Sequence, residues 1–205
     1  MQIRFVSAPG LSSLADWESR RFAGGEGTGP QSNDRRAALE RMIAAESPGP
    51  PEKYGPFRRV AGAILRYDIF PQRLVTGLLR REPVQVGDTV GTCYHFLPGI
   101  DLFFGSRVIA CFDEEVRGVW RCGFTYRTLS GHPVIGAETF SAEKDMATGR
   151  ISVALRSWSR PGIWLAHLTR PLMRWLQFRA GLSALDHLQD IATAPVTECR
   201  SSNSP

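Results

Sequence analysis

Lysine is almost missing from this chain. Lys53 and Lys144 are the only two in 205 residues, so the net charge of +5 and the isoelectric point of about 9.4 rest on arginine. Those arginines are scattered from Arg4 to Arg200 in runs of two at most. That spacing excludes the clustered basic stripe of a nucleic-acid-binding surface, and no nucleic acid is expected as a partner. Long apolar runs are missing too. None approaches the roughly 18 residues of a membrane-spanning helix, so no transmembrane segment is expected. The opening MQIRFVSAPG lacks the charged start and apolar stretch of a secretory signal, and a cytoplasmic location follows as the expectation.

Paired cysteines are absent as well. Cys93, Cys111, Cys122 and Cys199 stand apart with no C-x-x-C, and His95, His132, His167 and His187 are dispersed. These spacings point to neither a structural zinc site nor a disulfide scaffold. The cysteines read as small buried hydrophobes, with one near the end of the chain, in a reducing compartment. There is no nucleophile elbow, no Ser-His-Asp order and no phosphate-binding glycine loop, since GGEGTG at 24–29 lies in a polar linker rather than between a strand and a helix. No catalytic residue, cofactor or metal is therefore assigned, and the balance moves from enzyme toward binding protein.

What is present is enough apolar material, 42% of residues, for one well-buried core. FAGGEGTGPQSN at 22–33 and SPGPPEKYGP at 47–56 are loops by composition. Between them NDRRAALERMIAA carries a capping Asn33 or Asp34 and good helix formers, which predicts a short helix. PFRRVAGAILRYDIF places Phe57, Val60, Ala61, Ile64 and Leu65 on one helical face and predicts a second helix ending before Pro71.

From residue 84 the period becomes two. VQVGDTVGTCYHFL, SRVIACF, GVWRCGFTYRT, VIGAETFSAE and RISVALRSW read as five strands, and connectors as short as DEEVRG, LSGH and KDMATG require an antiparallel meander. After Ser159 the period returns to three and four, with an apolar stripe at Leu165, Leu168, Leu172, Trp175 and Leu176 and a kink expected at Pro171. The expected fold class is α+β, a curved antiparallel sheet wrapped around a long C-terminal helix in helix-grip fashion. The expected division is an N-terminal segment over 1–50 with a short helix and flexible loops, a single domain over 51–192, and a disordered tail over 193–205.

Glu138 is the residue out of pattern. If Ser130 and Gly131 alone formed the hairpin turn, Thr139, Ser141 and Glu143 would share the face of Trp120, Phe124 and Tyr126. A three-residue loop, 130–132, instead turns Glu138 inward opposite Phe124, and the pattern favours it. An inward carboxylate is either one half of an internal ion pair, with Arg107, Arg160 or His132 as partner, or a polar anchor or acid/base group in a cavity.

GFTYRTLSGHPVIGAETF followed by SWSRPGIWLAHLTRPLMRWLQ resembles the paired boxes GFxYGTLxGHPxxGEExF and FSRPxxxLxxLxxPLxRxLQ of the family catalogued as domain of unknown function nineteen-ninety. The likeness covers roughly residues 84–180. Arg127 stands where the pattern has glycine, and Ala137 replaces one of its two acidic residues. Thr128, His132, Glu138, Ser159 and Arg160 match its polar positions. The resemblance implies a START-like or polyketide-cyclase-like helix-grip domain with no settled activity.

The function expected from these readings is binding of a small apolar or amphipathic molecule between sheet and closing helix. Tyr94, Arg107, Trp120, Phe124, Tyr126, Thr128, His132, Glu138 and Arg160 are the candidate ligand-binding residues. One alternative is an enzyme using Glu138 and His132 as an acid/base pair. Another is a peripheral membrane or protein-docking module presenting Trp164, Trp175 and Phe178 beside Arg170, Arg174 and Arg179.

Overall fold

The computed structural model describes residues 2–5, 11–97, 100–162 and 170–194, with the side chains of 2–5, 11, 96, 97, 100 and 170–177 left undescribed. Along the chain run β1 (Gln2–Phe5), α1 (Leu11–Glu18), β2 (Arg35–Ala45), α2 (Pro56–Leu65), β3 (Val75–Leu78), β4 (Thr89–Leu97), β5 (Ile100–Val116), β6 (Val119–Thr128), β7 (Val134–Asp145), β8 (Arg150–Pro161) and α3 (Arg170–Thr193). Among the described residues the strands form one antiparallel sheet in the order β2-β8-β7-β6-β5-β4-β3, and β1 pairs with the first residues of β5. The meander predicted from the alternation is β4 to β8. Its β5 is much longer than SRVIACF, and Arg117 and Gly118, both at positive φ, make the two-residue turn into β6.

One predicted helix is a strand. Residues 35–45 pair with β8 from Arg35 opposite Ser159 to Ala45 opposite Arg150, at one edge of the sheet. The helix preference of Ala, Leu and Glu amounts to a few tenths of a kcal/mol per residue, which a full ladder against β8 outweighs. The period-two signal is also there: Arg36, Ala38, Glu40 and Met42 are exposed, while Ala37, Leu39 and Ile43 turn toward the concave side. Residues 1–50 thus contribute β1, α1 and β2 to the fold, around the expected loops.

The sheet curls, and its concave face holds the main core. Across β6, β7, β8 and β2 the residues stand in lateral rows, one of which is Phe124, Phe140, Leu155 and Leu39. The Tyr67, Phe124, Tyr126 and Phe140 rings lie 5.6–6.5 Å apart, and burying each large apolar side chain contributes about 1.5–3 kcal/mol. Over this row pack Phe57, Val60 and Ile64 of α2, the helix its spacing predicts, and Ala184, Leu185 and Leu188 from the second half of α3. On the convex face α1 presses Leu14 and Trp17 onto Cys93, Phe103 and Leu129. The fold is helix-grip-like, a curled sheet holding a C-terminal helix. The stripe positions Leu165 and Leu168 lie outside the described residues, as do the side chains of Leu172, Trp175 and Leu176 and the segment preceding Pro171 where a kink is expected.

Candidate functional site

Beyond the ring cluster the lateral rows become small and polar. Tyr126, Glu138, Ser157 and Ala37 stand side by side on four strands, and Gly136, Ser159 and Arg35 follow on the next row. Ala37, Ser157, Gly136 and Ser159 are too short to fill the space under α3. A cavity of about 230 Å³, as bounded by the described residues, opens there between the sheet and Phe178, Ala180 and Gly181 of α3. Gly136 is obligatory for the wall, because a β-carbon there would collide with the Trp158 carbonyl. Thr128 ends β6 with its side chain, accepting the Gly136 N–H at 3.0 Å and donating to the Gly136 carbonyl at 3.3 Å.

Glu138 points inward, as its pattern predicts, but its neighbour differs. It stands opposite Tyr126, two residues from the expected position opposite Phe124, and the Tyr126 hydroxyl donates to Glu138 Oε2 at 2.8 Å. Among the described residues no ion pair includes Glu138. The expected cations are engaged elsewhere by strand parity. Arg107 donates to Thr89 Oγ1 and to the Glu18 carbonyl at the end of α1, and Arg160 pairs with Asp34 at 2.9 Å while stacking on Trp158. Burial raises the Glu138 carboxyl above its ordinary range, and the Tyr126 hydrogen bond only partly opposes this. The same burial, reinforced by the Glu138 charge, pushes Tyr126 well above its ordinary range. Behind the pair, Tyr67 is held at a φ of 59° and its hydroxyl lies 2.7 Å from Thr92 Oγ1, so hydroxyl groups continue from Glu138 toward β4.

His132 sits at the cavity's end, 5.0 Å from the Phe104 ring centroid. Its Nδ1 accepts the Val134 N–H at 3.2 Å, and burial pushes the imidazole down to about 4, so it is neutral near pH 7. No hydrogen bond joins it to Glu138 among the described residues.

Of the candidate residues, Tyr94, Tyr126, Thr128, His132 and Glu138 line the cavity. Phe124 is fully buried in the core, and Trp120 stands at the far end of β6, bonded through Nε1 to Asp113. Arg107 and Arg160 are held in the outward pairings above. Wall residues not anticipated include Arg35, Ala37 and Leu39, hidden by the helical reading of β2, and Ser157 and Ser159, whose period-two positions on β8 would have disclosed them. No described helix is long and apolar enough to cross a membrane. The side chains of Trp164, Trp175, Arg170 and Arg174 lie outside the described residues, while Phe178 is half exposed and lines the cavity.

A UPF0548 protein of Dictyostelium discoideum is 27% identical over 128 residues, and the match spans 59% of each chain. Among solved structures, hypothetical protein jhp0584 of Helicobacter pylori superposes with a TM-score of 0.51 at 10% identity, over 80% of this chain and 90% of that one. The di-domain ARO/CYC protein BexL of the BE-7585A biosynthetic pathway superposes at 0.50 and 14% identity, over 79% of this chain and 51% of that one. These likenesses concern the fold. The family model described as Domain of unknown function (DUF1990) matches residues 27–186, and the chain belongs to that family.

Proposed function

We propose that this protein binds a small apolar or amphipathic molecule in the cavity between β6, β7, β8, β2 and α3, and that an oxygen of the ligand is held by Glu138 and Tyr126. The observation that carries this reading is the Glu138–Tyr126 pair in an otherwise mostly apolar wall. Ligand sites combine an apolar lining with a few placed polar groups, and the Glu138 carboxyl, raised by burial, accepts a hydrogen bond when ionised and offers an O–H to a carbonyl, ether or hydroxyl oxygen when protonated. The volume falls below the roughly 300–1,000 Å³ usual for ligand pockets, which favours a compact molecule. The resemblance to an ARO/CYC protein of a biosynthetic pathway is consistent with a small-molecule ligand and adds no substrate.

Binding is favoured over acid/base catalysis by Glu138 with His132, because the His132 Nδ1 is already occupied by Val134 and the two side chains make no mutual hydrogen bond. The test is native mass spectrometry of the purified full chain, followed by titration with an uncharged environment-sensitive apolar dye. A co-purified adduct or saturable dye binding, weakened at least tenfold (about 1.4 kcal/mol) by Ser157→Phe, is expected. Absence of both overturns the proposal.

A further inference from the structure

The convex side of the sheet carries a second cluster, and none of its three donors lines the cavity. Cys93 and His95 project from β4 two residues apart, and Asp101 stands directly across from His95 on β5. The Cys93 thiol, a His95 ring nitrogen and an Asp101 carboxylate oxygen all lie within 4.8 Å of one another. Two ligands of one tetrahedral ion are separated by about 3.5 Å, given metal–ligand lengths near 2.0–2.3 Å, so small side-chain rotations bring the three donors onto a single centre.

The surroundings suit a metal as well. His95 Nε2 lies 2.9 Å from Thr76 Oγ1 on β3, and Nδ1 lies 2.9 Å from Asp101 Oδ1. As the side chains stand, Nδ1–H donates to the carboxylate and Nε2 accepts the Thr76 hydroxyl; in the other tautomer Nε2–H donates to Thr76 Oγ1, the outer hydrogen bond that leaves Nδ1 free for an ion. Cys93 is fully buried under α1, whereas the His95 and Asp101 side chains keep 32% and 22% exposure. The thiol thus forms the floor, and the other two donors form a rim that solvent reaches.

We propose that Cys93, His95 and Asp101 bind a divalent transition-metal ion, with zinc as the ion that fits best and a fourth position left for water. A thiolate and an imidazole select against calcium and magnesium, and three protein ligands with one open position is an arrangement zinc accepts. On binding, the Cys93 S–H bond breaks, its proton leaves to solvent and a metal–sulfur bond forms. His95 moves its proton from Nδ1 to Nε2 by exchange with solvent and donates it to Thr76 Oγ1, and the His95–Asp101 hydrogen bond is replaced by one bond from each to the ion, with no change of oxidation state.

Cobalt(II) is the probe, added to chelator-treated full-length protein. The expected spectrum has a near-ultraviolet thiolate-to-cobalt charge-transfer band and intense visible absorption of tetrahedral cobalt, both displaced by one equivalent of zinc. Cys93→Ser should abolish the charge-transfer band, Cys111→Ser and Cys199→Ser should leave it, and His95→Gln or Asp101→Asn should weaken binding at least tenfold. Absence of the band, its survival in Cys93→Ser, or its loss in Cys111→Ser or Cys199→Ser overturns the proposal. If Cys93→Ser does not fold, the partly exposed His95→Gln decides, and affinity within twofold of the parent overturns it.

Discussion

Tyr126 and Glu138 face each other across β6 and β7, and the phenol donates to the carboxylate at 2.8 Å. The pair sits at the boundary between the packed row of Phe124 and Phe140 and the small residues that leave the cavity. Burial raises the Glu138 carboxyl, so the folded protein keeps a proton that the unfolded chain releases near 4.5. Its stabilising contribution is complete below that pH and falls as pH rises from 4.5 through the raised folded value. Glu138→Gln cannot titrate, and the melting temperature of the parent should decline relative to the variant across that window. Superimposable pH profiles would show that Glu138 does not hold its proton in the fold.

Tyr126→Phe removes the hydroxyl that donates to Glu138. The buried carboxyl then lacks a donor, and a loss of about 1–3 kcal/mol is expected, measured by denaturant unfolding. The double variant Tyr126→Phe/Glu138→Leu should lose less than the sum of the two single changes, because it leaves no unpaired acceptor behind. Additive losses would mean that the two groups are not coupled.

His132 should govern the opposite limb. Its folded value of about 4 lies below the ordinary 6.5, so the unfolded chain takes up the proton first and stability falls as pH drops from 6.5 toward 4. The ring is half-buried, and the loss is on the order of 1 kcal/mol. His132→Asn retains an acceptor for the Val134 N–H and should flatten the profile between pH 6.5 and 4.5, above the range where ion-paired carboxylates such as Glu143 are lost. A profile unchanged in the variant would place the acid sensitivity elsewhere.

Periodicity made α2 and the strands β4 to β8 legible, because Phe57, Val60, Ala61 and Ile64 or Trp120, Cys122, Phe124 and Tyr126 encode their own faces. It also settled the parity of Glu138. The exact partner was not legible, because the hairpin end is closed by the Thr128 side chain while Leu129 and Ser130 bond to Gly105 and Arg21 instead. β2 was obscured by its helix-forming composition, and with it one wall of the cavity. Cys93 and His95 looked dispersed when weighed against C-x-x-C spacings. On a strand, C-x-H places both on one face, and Asp101 joins them only through the β4–β5 register.

The buried Lys144 gives a prediction independent of either site. Its ammonium lies 3.2 Å from Glu46 Oε1 and 3.1 Å from the Pro50 carbonyl, with 0% and 2% of the two side chains exposed, so it ties the 46–55 loop to β7. Lys144→Met strands a buried carboxylate and should cost about 3–5 kcal/mol. Lys144→Met/Glu46→Leu should recover most of this loss in thermal unfolding. Failure of the second change to recover stability would show that Lys144 acts through the Pro50 carbonyl rather than through the charge on Glu46.

Ser157 separates cavity from core most directly. It stands between Glu138 on β7 and Ala37 on β2, and its own short side chain and that of Ala37 leave the space open. A large apolar side chain there enters space that is already present and gains contacts at little strain, so Ser157→Phe is expected to keep or raise the melting temperature while weakening dye and ligand binding at least tenfold. The same enlargement at Ala142, two rows deeper and fully buried beside Val153, has no space to enter and should destabilise by about 1–3 kcal/mol. Thermal unfolding of Ser157→Phe and Ala142→Phe side by side measures the contrast, and equal destabilisation by the two changes would show that the space under α3 is closed in solution.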